Sequence, residues 1–267
     1  IIRPPSTGPA FKIDSDAPSR FQRHGHMSGI TFLSGMTGVK IRKAHHFSFH
    51  DMEFKSQTHY GLHVPTLLGD SDACNHLQLD MVRFDNSGRW GFYGEVATGV
   101  NELSFVSMKN VTFEDCGTLT GAIGGGMYWR GQMLSMDSVA FVVCQNRGLY
   151  IEGSPGLGSD VYGSNVTFEN NIGKGIQCYG ISGMVFDNLQ LYNNDTYVAK
   201  YGIWADGNSS VVRNILVRSA KVRATSGNNP YTAFQAHGAN MSNCKAQNIA
   251  WDNFGYPGQT QMSGFTP

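Results

Sequence analysis

Hydrophobic and polar residues alternate along the chain in a short pattern that is broken once by a small polar residue. It reads apolar-x-apolar-x-(Asn/Asp/Ser)-apolar-x-apolar, as in FSFHDMEF from Phe47, LQLDMVRF from Leu77 and VSMKNVTF from Val106. Alternation with a period of two places the apolar side chains of a strand on one face. Asn tolerates the left-handed backbone of a tight corner, and it precedes the second half at Asn110, Asn165, Asn188 and Asn248. Each copy therefore predicts two short strands joined by a corner.

A second pattern, Gly-apolar-x-apolar-x-Gly, follows after a loop. It is clearest in GMYWRG from Gly126, GLYIEG from Gly148, GIQCYG from Gly175 and GIWADG from Gly202. With looser versions, its first apolar residue recurs about every 28 residues, at positions 11, 39, 62, 92, 127, 149, 176, 203 and 234. Three strands in a fixed order at a regular repeat indicate coils that form a core only when they stack. The sequence predicts an all-β fold, a right-handed single-stranded parallel β-helix with three sheets and about nine coils.

Composition narrows the choice of partners. Lys+Arg and Asp+Glu both total 20, so no basic surplus favours nucleic acid as a partner. No apolar run approaches the roughly 20 residues of a membrane helix, so membrane insertion is not expected. The five cysteines lack CxxC spacing, which predicts buried thiols rather than metal ligands. We expect neither a metal nor a cofactor.

The chain is expected to form a single β-helix domain over residues 1–267. It opens at Ile1-Ile2-Arg3 with neither an initiator Met nor a signal peptide. This favours a fragment of a longer protein in which an upstream capping or attachment region is missing. Residues 252–267 are expected to form a C-terminal tail.

The two patterns resemble the pectate-lyase-like superfamily of right-handed β-helices, and most of all the central domain of bacteriophage tailspikes. The opening IIRPPSTGPAFKIDS is similar to the first coil of such domains. The resemblance covers about residues 2–251 and rests on architecture. The calcium-and-arginine motif of pectate lyases, the Asp cluster of pectinases and the DPH-type motif of alginate epimerases have no counterpart. The resemblance implies polysaccharide binding or cleavage, with the carbohydrate groove on the outer face of the Gly-bounded strands.

Within each Gly-bounded strand the two x residues point outward and stack into two columns. Exposed aromatic rings are unusual, and flat rings suit the apolar faces of sugars. One interpretation is therefore a carbohydrate groove; the other is a satellite core covered by loops. The first column contains four aromatic residues, Tyr93, Tyr128, Tyr150 and Trp204.

The second column supplies the candidate catalytic residues. Residues two coils apart are separated by about 9 to 10 Å, because neighbouring strands lie about 4.8 Å apart. That spacing leaves room for the water of an inverting glycosidase. Glu152 and Asp206 are favoured as general acid and base, since a neighbouring aromatic residue and partial burial raise a carboxyl pKa. The column reads Glu95, Arg130, Glu152, Tyr179, Asp206 and His237.

Three residues of this column have secondary roles in the hypothesis. Glu95 is the third catalytic candidate, because Arg130 would hold either Glu95 or Glu152 ionised. His237 is expected to pair with Asp206, one coil away. A solvated ladder of alternating charges is the competing interpretation of the column.

The main functional hypothesis is a phage tailspike depolymerase that hydrolyses internal glycosidic bonds of a bacterial capsule, exopolysaccharide or O-antigen. The four aromatic residues would be sugar platforms, with Arg130 and His237 as electrostatic partners. A homotrimer follows from the family analogy alone. The location is the virion, at the phage tail acting on the bacterial surface, with a secreted protein as the alternative.

Two further hypotheses use the same surface. A polysaccharide lyase would use Tyr179 and His237 as base and acid, with Arg130 neutralising a uronate. A non-catalytic adhesin would use the aromatic groove for binding alone.

Overall fold

A computed structural model describes residues 1–14, 24–42, 44–66, 74–96, 103–119, 123–153, 159–193, 199–208, 211–224, 231–252 and 259–267. For positions 14, 66, 95, 96, 103, 104, 199, 200 and 259–261 it describes the backbone alone. The described residues form strands and no helix, which confirms the all-β prediction.

The first twelve strands are β1 (Pro9–Asp14), β2 (Gly25–Leu33), β3 (Thr37–Arg42), β4 (His45–Lys55), β5 (Tyr60–Thr66), β6 (Asn75–Asp85), β7 (Trp90–Val96), β8 (Leu103–Glu114), β9 (Gly125–Trp129), β10 (Gly131–Val142), β11 (Arg147–Glu152) and β12 (Asp160–Ser164). The others are β13 (Thr167–Glu169), β14 (Gly173–Tyr179), β15 (Gly183–Asp187), β16 (Leu189–Asn193), β17 (Ala199–Asp206), β18 (Val212–Val217), β19 (Ala220–Ala224), β20 (Tyr231–His237), β21 (Met241–Ala246), β22 (Ile249–Asp252) and β23 (Gln259–Ser263).

The Gly-bounded strands form one parallel sheet, here called the first wall, in the order β1-β3-β5-β7-β9-β11-β14-β17-β20-β23. The nine apolar positions of the repeat pair in sequence, from Phe11 with Val39 to Ile203 with Phe234. A tenth strand, β23, extends this sheet through Phe234 and Met262. The parallel β-helix is confirmed, and the coil count differs slightly from nine. The expected tail thus contributes a strand to the stack.

The other repeat pattern forms a second sheet, which bends along its length into the second and third walls. In β4, β6, β8 and β10 both halves belong to one long strand, whereas later coils divide them into separate strands. The bend residue has a left-handed backbone, with φ values of 52 to 53° at the four predicted positions, Asn110, Asn165, Asn188 and Asn248. The predicted left-handed backbone at these four asparagines is therefore confirmed.

We expect Asn110→Ala to lower the free energy of unfolding by about 1 kcal/mol more than Asn110→Gly does, because a Cβ is disfavoured in left-handed backbone, whereas both variants lose the amide that donates to Asp80 in the preceding coil. Asn110→Gly is the matched control, because glycine adopts this conformation readily. Urea unfolding measures both. Equal losses in the two variants would contradict a conformational cost at the corner.

A ladder of stacked phenylalanine rings forms the centre of the core. Neighbouring ring centroids lie 4.8 to 5.2 Å apart, and the ring planes differ by 2 to 7°. All six rings are at most 2% exposed. Each ring repeats the position of the previous one, so the ladder locks the register between coils. Its members are Phe32, Phe54, Phe84, Phe113, Phe141 and Phe168.

The first glycine of the Gly-bounded pattern is required by this ladder. A Cβ at Gly126 would lie 2.6 Å from Cδ1 of Phe141 and 2.7 Å from the carbonyl oxygen of Gly148. Gly148 has the same surroundings one coil later, with Phe168 at 2.7 Å. A side chain at these positions would push the first wall away from the phenylalanine rings.

The cysteines are buried free thiols, as predicted. Cys116 and Cys144 follow the third wall in adjacent coils, where each thiol lies near a main-chain carbonyl oxygen. Burial, reinforced by Cys116, raises the pKa of Cys144 well above its ordinary value. In the next coil the amide of Asn171 accepts from the N–H of Cys144 at 3.0 Å and donates to the carbonyl of Phe141 at 2.9 Å. Together, these side chains provide hydrogen-bond partners for backbone groups that are buried at the turn.

Candidate functional site

The second outward column lies on the first wall in the predicted order. Glu152 pairs with Tyr179, Tyr179 with Asp206, and Asp206 with His237. The N–H of Arg130 donates to the carbonyl of Gly94 at 3.0 Å, which places Arg130 beside the strand of the third candidate carboxylate. Glu152 and Asp206 are therefore two strands apart, as the repeat predicted.

Glu95 also belongs to the first wall, where its backbone pairs with Pro65. Its side chain lies outside the described part of the structure. The competition between Glu95 and Glu152 for Arg130 thus stays a prediction.

Glu152 lies at the centre of the side-chain contacts in this column. Its Oε2 accepts a hydrogen bond of 2.8 Å from the hydroxyl of Tyr128. Its Oε1 lies 3.9 Å from Nη1 of Arg130, whose side chain is 12% exposed against 37% for Glu152. Tyr128 and Arg130 thus fix the position and direction of the Glu152 carboxyl group.

Tyr128 differs from its predicted role as a sugar platform. It is only 9% exposed, and its ring packs against Trp90, Tyr93 and Tyr150 at centroid distances of 5.7, 4.8 and 5.3 Å. Burial, and next the Glu152 carboxylate, raise the pKa of Tyr128 well above its usual range. Its hydroxyl therefore stays protonated and donates to Glu152, while its ring belongs to the satellite core. The satellite-core interpretation therefore holds for Tyr128, whereas the carbohydrate groove stays a prediction for the other aromatic residues of the column.

Tyr150 and Tyr179 are half-buried and lie edge to face, with centroids 5.6 Å apart. Burial and the Glu152 charge raise the pKa of Tyr150 to about 12. Burial and the Asp206 charge raise the pKa of Tyr179 as well. Both phenols therefore stay protonated near neutral pH and do not act as bases.

Asp206 and His237 face each other in register, but Asn208 takes the place of the predicted ion pair. The N–H of Asn208 donates to Oδ1 of Asp206 at 2.9 Å, and its Nδ2 donates to Nδ1 of His237 at 2.8 Å. No ion pair joins Asp206 to His237 among the contacts of the described residues. Because the contact depends on the path of the turn after β17, the strand pattern gave no signal for it.

Further polar side chains of the first wall were missed by the sequence analysis. Arg147 in β11 and Lys174 in β14 pair with each other, each directly before the first glycine of the repeat pattern, and Gln177 follows in the first outward column. The sequence indicates the two cations, because a basic residue directly precedes both Gly148 and Gly175. The predicted pattern began at the glycine and so left this position out.

Comparison with protein families identifies the architecture. Residues 96–258, more than half of the chain, match a family model described as a right-handed beta helix region. The chain belongs to the right-handed β-helix family. Comparison with curated proteins and with solved structures gave no match.

Right-handed β-helices are common among glycan-acting enzymes, including pectate lyases and hydrolases, and the family is compatible with polysaccharide degradation or binding. In the described part of this β-helix, no three His, Cys, Asp or Glu side chains converge as metal ligands would. The same residues contain no helix long and apolar enough to span a membrane.

His63, in the first outward column, makes the stability of the β-helix depend on pH. Its largely buried ring lies 4.7 Å from Tyr60 and 5.5 Å from Tyr93 between centroids. Burial, and next the charge of Lys40, lower its pKa from 6.5 to about 4. Below pH 6.5 the unfolded chain takes up a proton that folded His63 takes up only near pH 4. Its stabilising contribution is therefore present above pH 6.5 and lost as the pH falls toward 4.

We expect the free energy of unfolding of the parent to fall, relative to His63→Gln, by about 1.4 kcal/mol per pH unit between these two values. Urea unfolding at several pH values measures the difference. His26→Gln, at an exposed histidine, is the matched control. A parent and a His63→Gln variant with parallel pH profiles would contradict the assignment.

Proposed function

We propose that this β-helix binds a bacterial surface polysaccharide along the first wall and hydrolyses its internal glycosidic bonds. The observation that carries the proposal is Glu152, a half-exposed carboxylate held by Tyr128 and Arg130, two strands from a second carboxyl at Asp206. The resemblance to tailspikes supports a place on a phage tail, in a homotrimer. A secreted depolymerase is the alternative location.

The geometry suggests which carboxyl group accepts a proton and which donates one. Two strand spacings separate their backbones by about 9.5 Å, and inverting glycosidases hold their two carboxyl groups about 6.5–9.5 Å apart. Glu152, positioned by Tyr128 and Arg130, takes a proton from the attacking water while the water oxygen bonds to the anomeric carbon. Asp206 acts in the molecules in which it has first taken up a proton from solvent, and it gives that proton to the glycosidic oxygen as the bond to carbon breaks. These roles of acid and base are the reverse of those predicted from the sequence.

The half-buried aromatic residues offer contact surface to the sugars. Tyr93, Tyr150 and Trp204 retain partial exposure, whereas Tyr128 is buried against Tyr93 and Tyr150. Partly exposed rings on a rigid sheet bind with little loss of side-chain entropy. The sugar platforms are therefore assigned to these three residues.

Hydrolysis is favoured over elimination by the state of the tyrosines. A lyase of the predicted kind requires Tyr179 to accept a proton, yet burial and Asp206 raise its pKa. His237 lies two strands from Tyr179 and is bonded to Asn208. The raised pKa of Tyr179 argues against this residue as the base, and the contact with Asn208 occupies Nδ1 of His237, the acid of that hypothesis.

The proposal is tested by incubating the chain with capsules, exopolysaccharides and lipopolysaccharides from a panel of bacterial strains. We expect a rapid fall in the molar mass of one polymer without new ultraviolet absorbance, because hydrolysis leaves no unsaturated sugar. Shortened chains that absorb near the ultraviolet edge would replace hydrolysis by elimination. A polymer that is bound but keeps its full length after prolonged incubation would indicate an adhesin and overturn both enzyme hypotheses.

A further inference from the structure

A pocket of about 550 Å³ opens on the first wall beside the catalytic column, at the side where its strands begin. Its lining combines two cations, Arg147 and Lys174, with two aromatic rings, Tyr201 and Trp204. Lys174 pairs with Arg147 on one side and with Tyr201 on the other. Three consecutive coils therefore build this pocket from equivalent positions.

The two cationic groups converge on one neutral atom. Nε of Arg147 and Nζ of Lys174 both donate to Oε1 of Gln177, the latter at 3.2 Å. Gln177 is only 2% exposed and holds its amide in place by donating to the hydroxyl of Tyr179. The side chain thus fixes the directions of both cations and connects the pocket to the catalytic column.

Arg147 is a partly buried cation whose contacts are with neutral groups. Its guanidinium lies 4.8 Å above the ring of Tyr150. No ion pair in the described part of the chain includes Arg147. A guanidinium remains charged in proteins, and a buried charge is costly unless an anion compensates it. Its Nη atoms are a fork suited to a carboxylate or phosphate.

The aromatic side of the pocket suits a sugar ring rather than a free ion. Nζ of Lys174 lies 4.7 Å from the centroid of the Trp204 ring, and Tyr201 meets that ring edge to face at 4.2 Å. A flat ring beside two cations matches a ligand that is apolar on one face and carries negative charge at its edge.

We propose that this pocket binds an acidic sugar unit, with its carboxylate between Arg147 and Lys174 and its ring against Trp204. This rests on the proposed function, because the sugar belongs to the polysaccharide that the first wall binds. The pocket would select an anionic polymer and hold it in register with Glu152 and Asp206. A sugar phosphate offers similar chemistry and is the second source that the experiment distinguishes.

The probes are glucuronate, galacturonate and mannuronate, with glucose, galactose and mannose as their neutral counterparts; N-acetylneuraminate, with its methyl ester as the neutral counterpart; and glucose 6-phosphate and inorganic phosphate. Affinities are measured by ligand-observed NMR and by tryptophan fluorescence on the full chain. We expect at least one acidic sugar to bind about tenfold or more tightly than its neutral counterpart, the usual effect of one charge-assisted hydrogen bond. Tighter binding of phosphate and glucose 6-phosphate than of every carboxylate would overturn the carboxylate assignment.

Variants assign the binding to the pocket. Arg147→Gln and Lys174→Gln should each weaken acidic-sugar binding about tenfold or more while leaving neutral sugars unaffected. Trp204→Ala should weaken both classes. Arg213→Gln, a matched loss of charge on the second wall, should change neither. Lys174→Gln keeps the test decisive if Arg147→Gln lowers the unfolding temperature. Unchanged acidic-sugar affinity in a folded Lys174→Gln variant would overturn the proposal.

Shortening of the polysaccharide is measured separately from the binding of acidic sugars. If the parent shortens a polysaccharide but binds no acidic sugar better than its neutral counterpart, the pocket assignment fails and the proposed hydrolase stands. If acidic sugars bind in the pocket but no polymer is shortened, the pocket stands and the hydrolase fails.

Discussion

Glu152→Gln is expected to lower polysaccharide turnover by about 10²- to 10⁴-fold, the usual contribution of a general acid or base. Glutamine has nearly the shape of glutamate, and its amide oxygen still accepts the hydrogen bond that Tyr128 makes at 2.8 Å. It accepts no proton from water, so the loss should fall on kcat more than on KM. Counting new reducing ends over time measures this directly.

Asp206→Asn should produce a loss of similar size, because the leaving group then lacks its proton donor. Asp187→Asn is the matched control, since Asp187 lies on the outer face of the second wall in an ion pair with Arg218. We expect the control to retain parental turnover. If both Glu152→Gln and Asp206→Asn stay within a few-fold of the parent, the proposed pair is wrong.

Phe141→Ala is expected to lower the free energy of unfolding by about 3 to 5 kcal/mol, the usual cost of removing a buried phenylalanine. Phe141 is 0% exposed and stacks between Phe113 and Phe168 at 4.8 Å on each side. Its ring also packs against the backbone of Gly126. The variant therefore opens a cavity where two coils and the first wall meet.

Phe141→Leu keeps most of the volume and should cost about 1 to 1.5 kcal/mol. Met133→Ala in the same strand, at a side chain that is 38% exposed, should change stability by less than about 0.5 kcal/mol. Chemical denaturation compares the three variants. A cost for Phe141→Ala no greater than that of Met133→Ala would show that the ladder does not hold the coils together.

The fold was predictable because stacking repeats a local pattern. Each coil is too short to bury its apolar face alone, so the same positions must carry apolar residues in every coil. That requirement predicted from the sequence alone that Phe11, Val39 and Leu62 lie in register. It also put Asn110 at a left-handed corner. Strand β23 was not predicted because QTQMS, although it lies between Gly258 and Gly264, contains only one large apolar residue.

The site was predictable only as far as the backbone determines it. Register alone places Glu152 two strands from Asp206. Whether Tyr128 faces solvent depends instead on Trp90, which packs over its ring from a neighbouring strand. The bond from Asn208 to His237 depends on the turn that follows β17. Such contacts arise from rotamers and turns that a strand pattern does not encode.

The most direct test of the central claim is a crystal structure of Asp206→Asn bound to oligosaccharides cut from the polysaccharide that the parent shortens. The account predicts sugar rings along the outer face of the first wall, across β11, β14 and β17. A scissile bond should lie within reach of Glu152, with one ring against Trp204. Sugars bound on the second or third wall, with the first wall unoccupied, would contradict it.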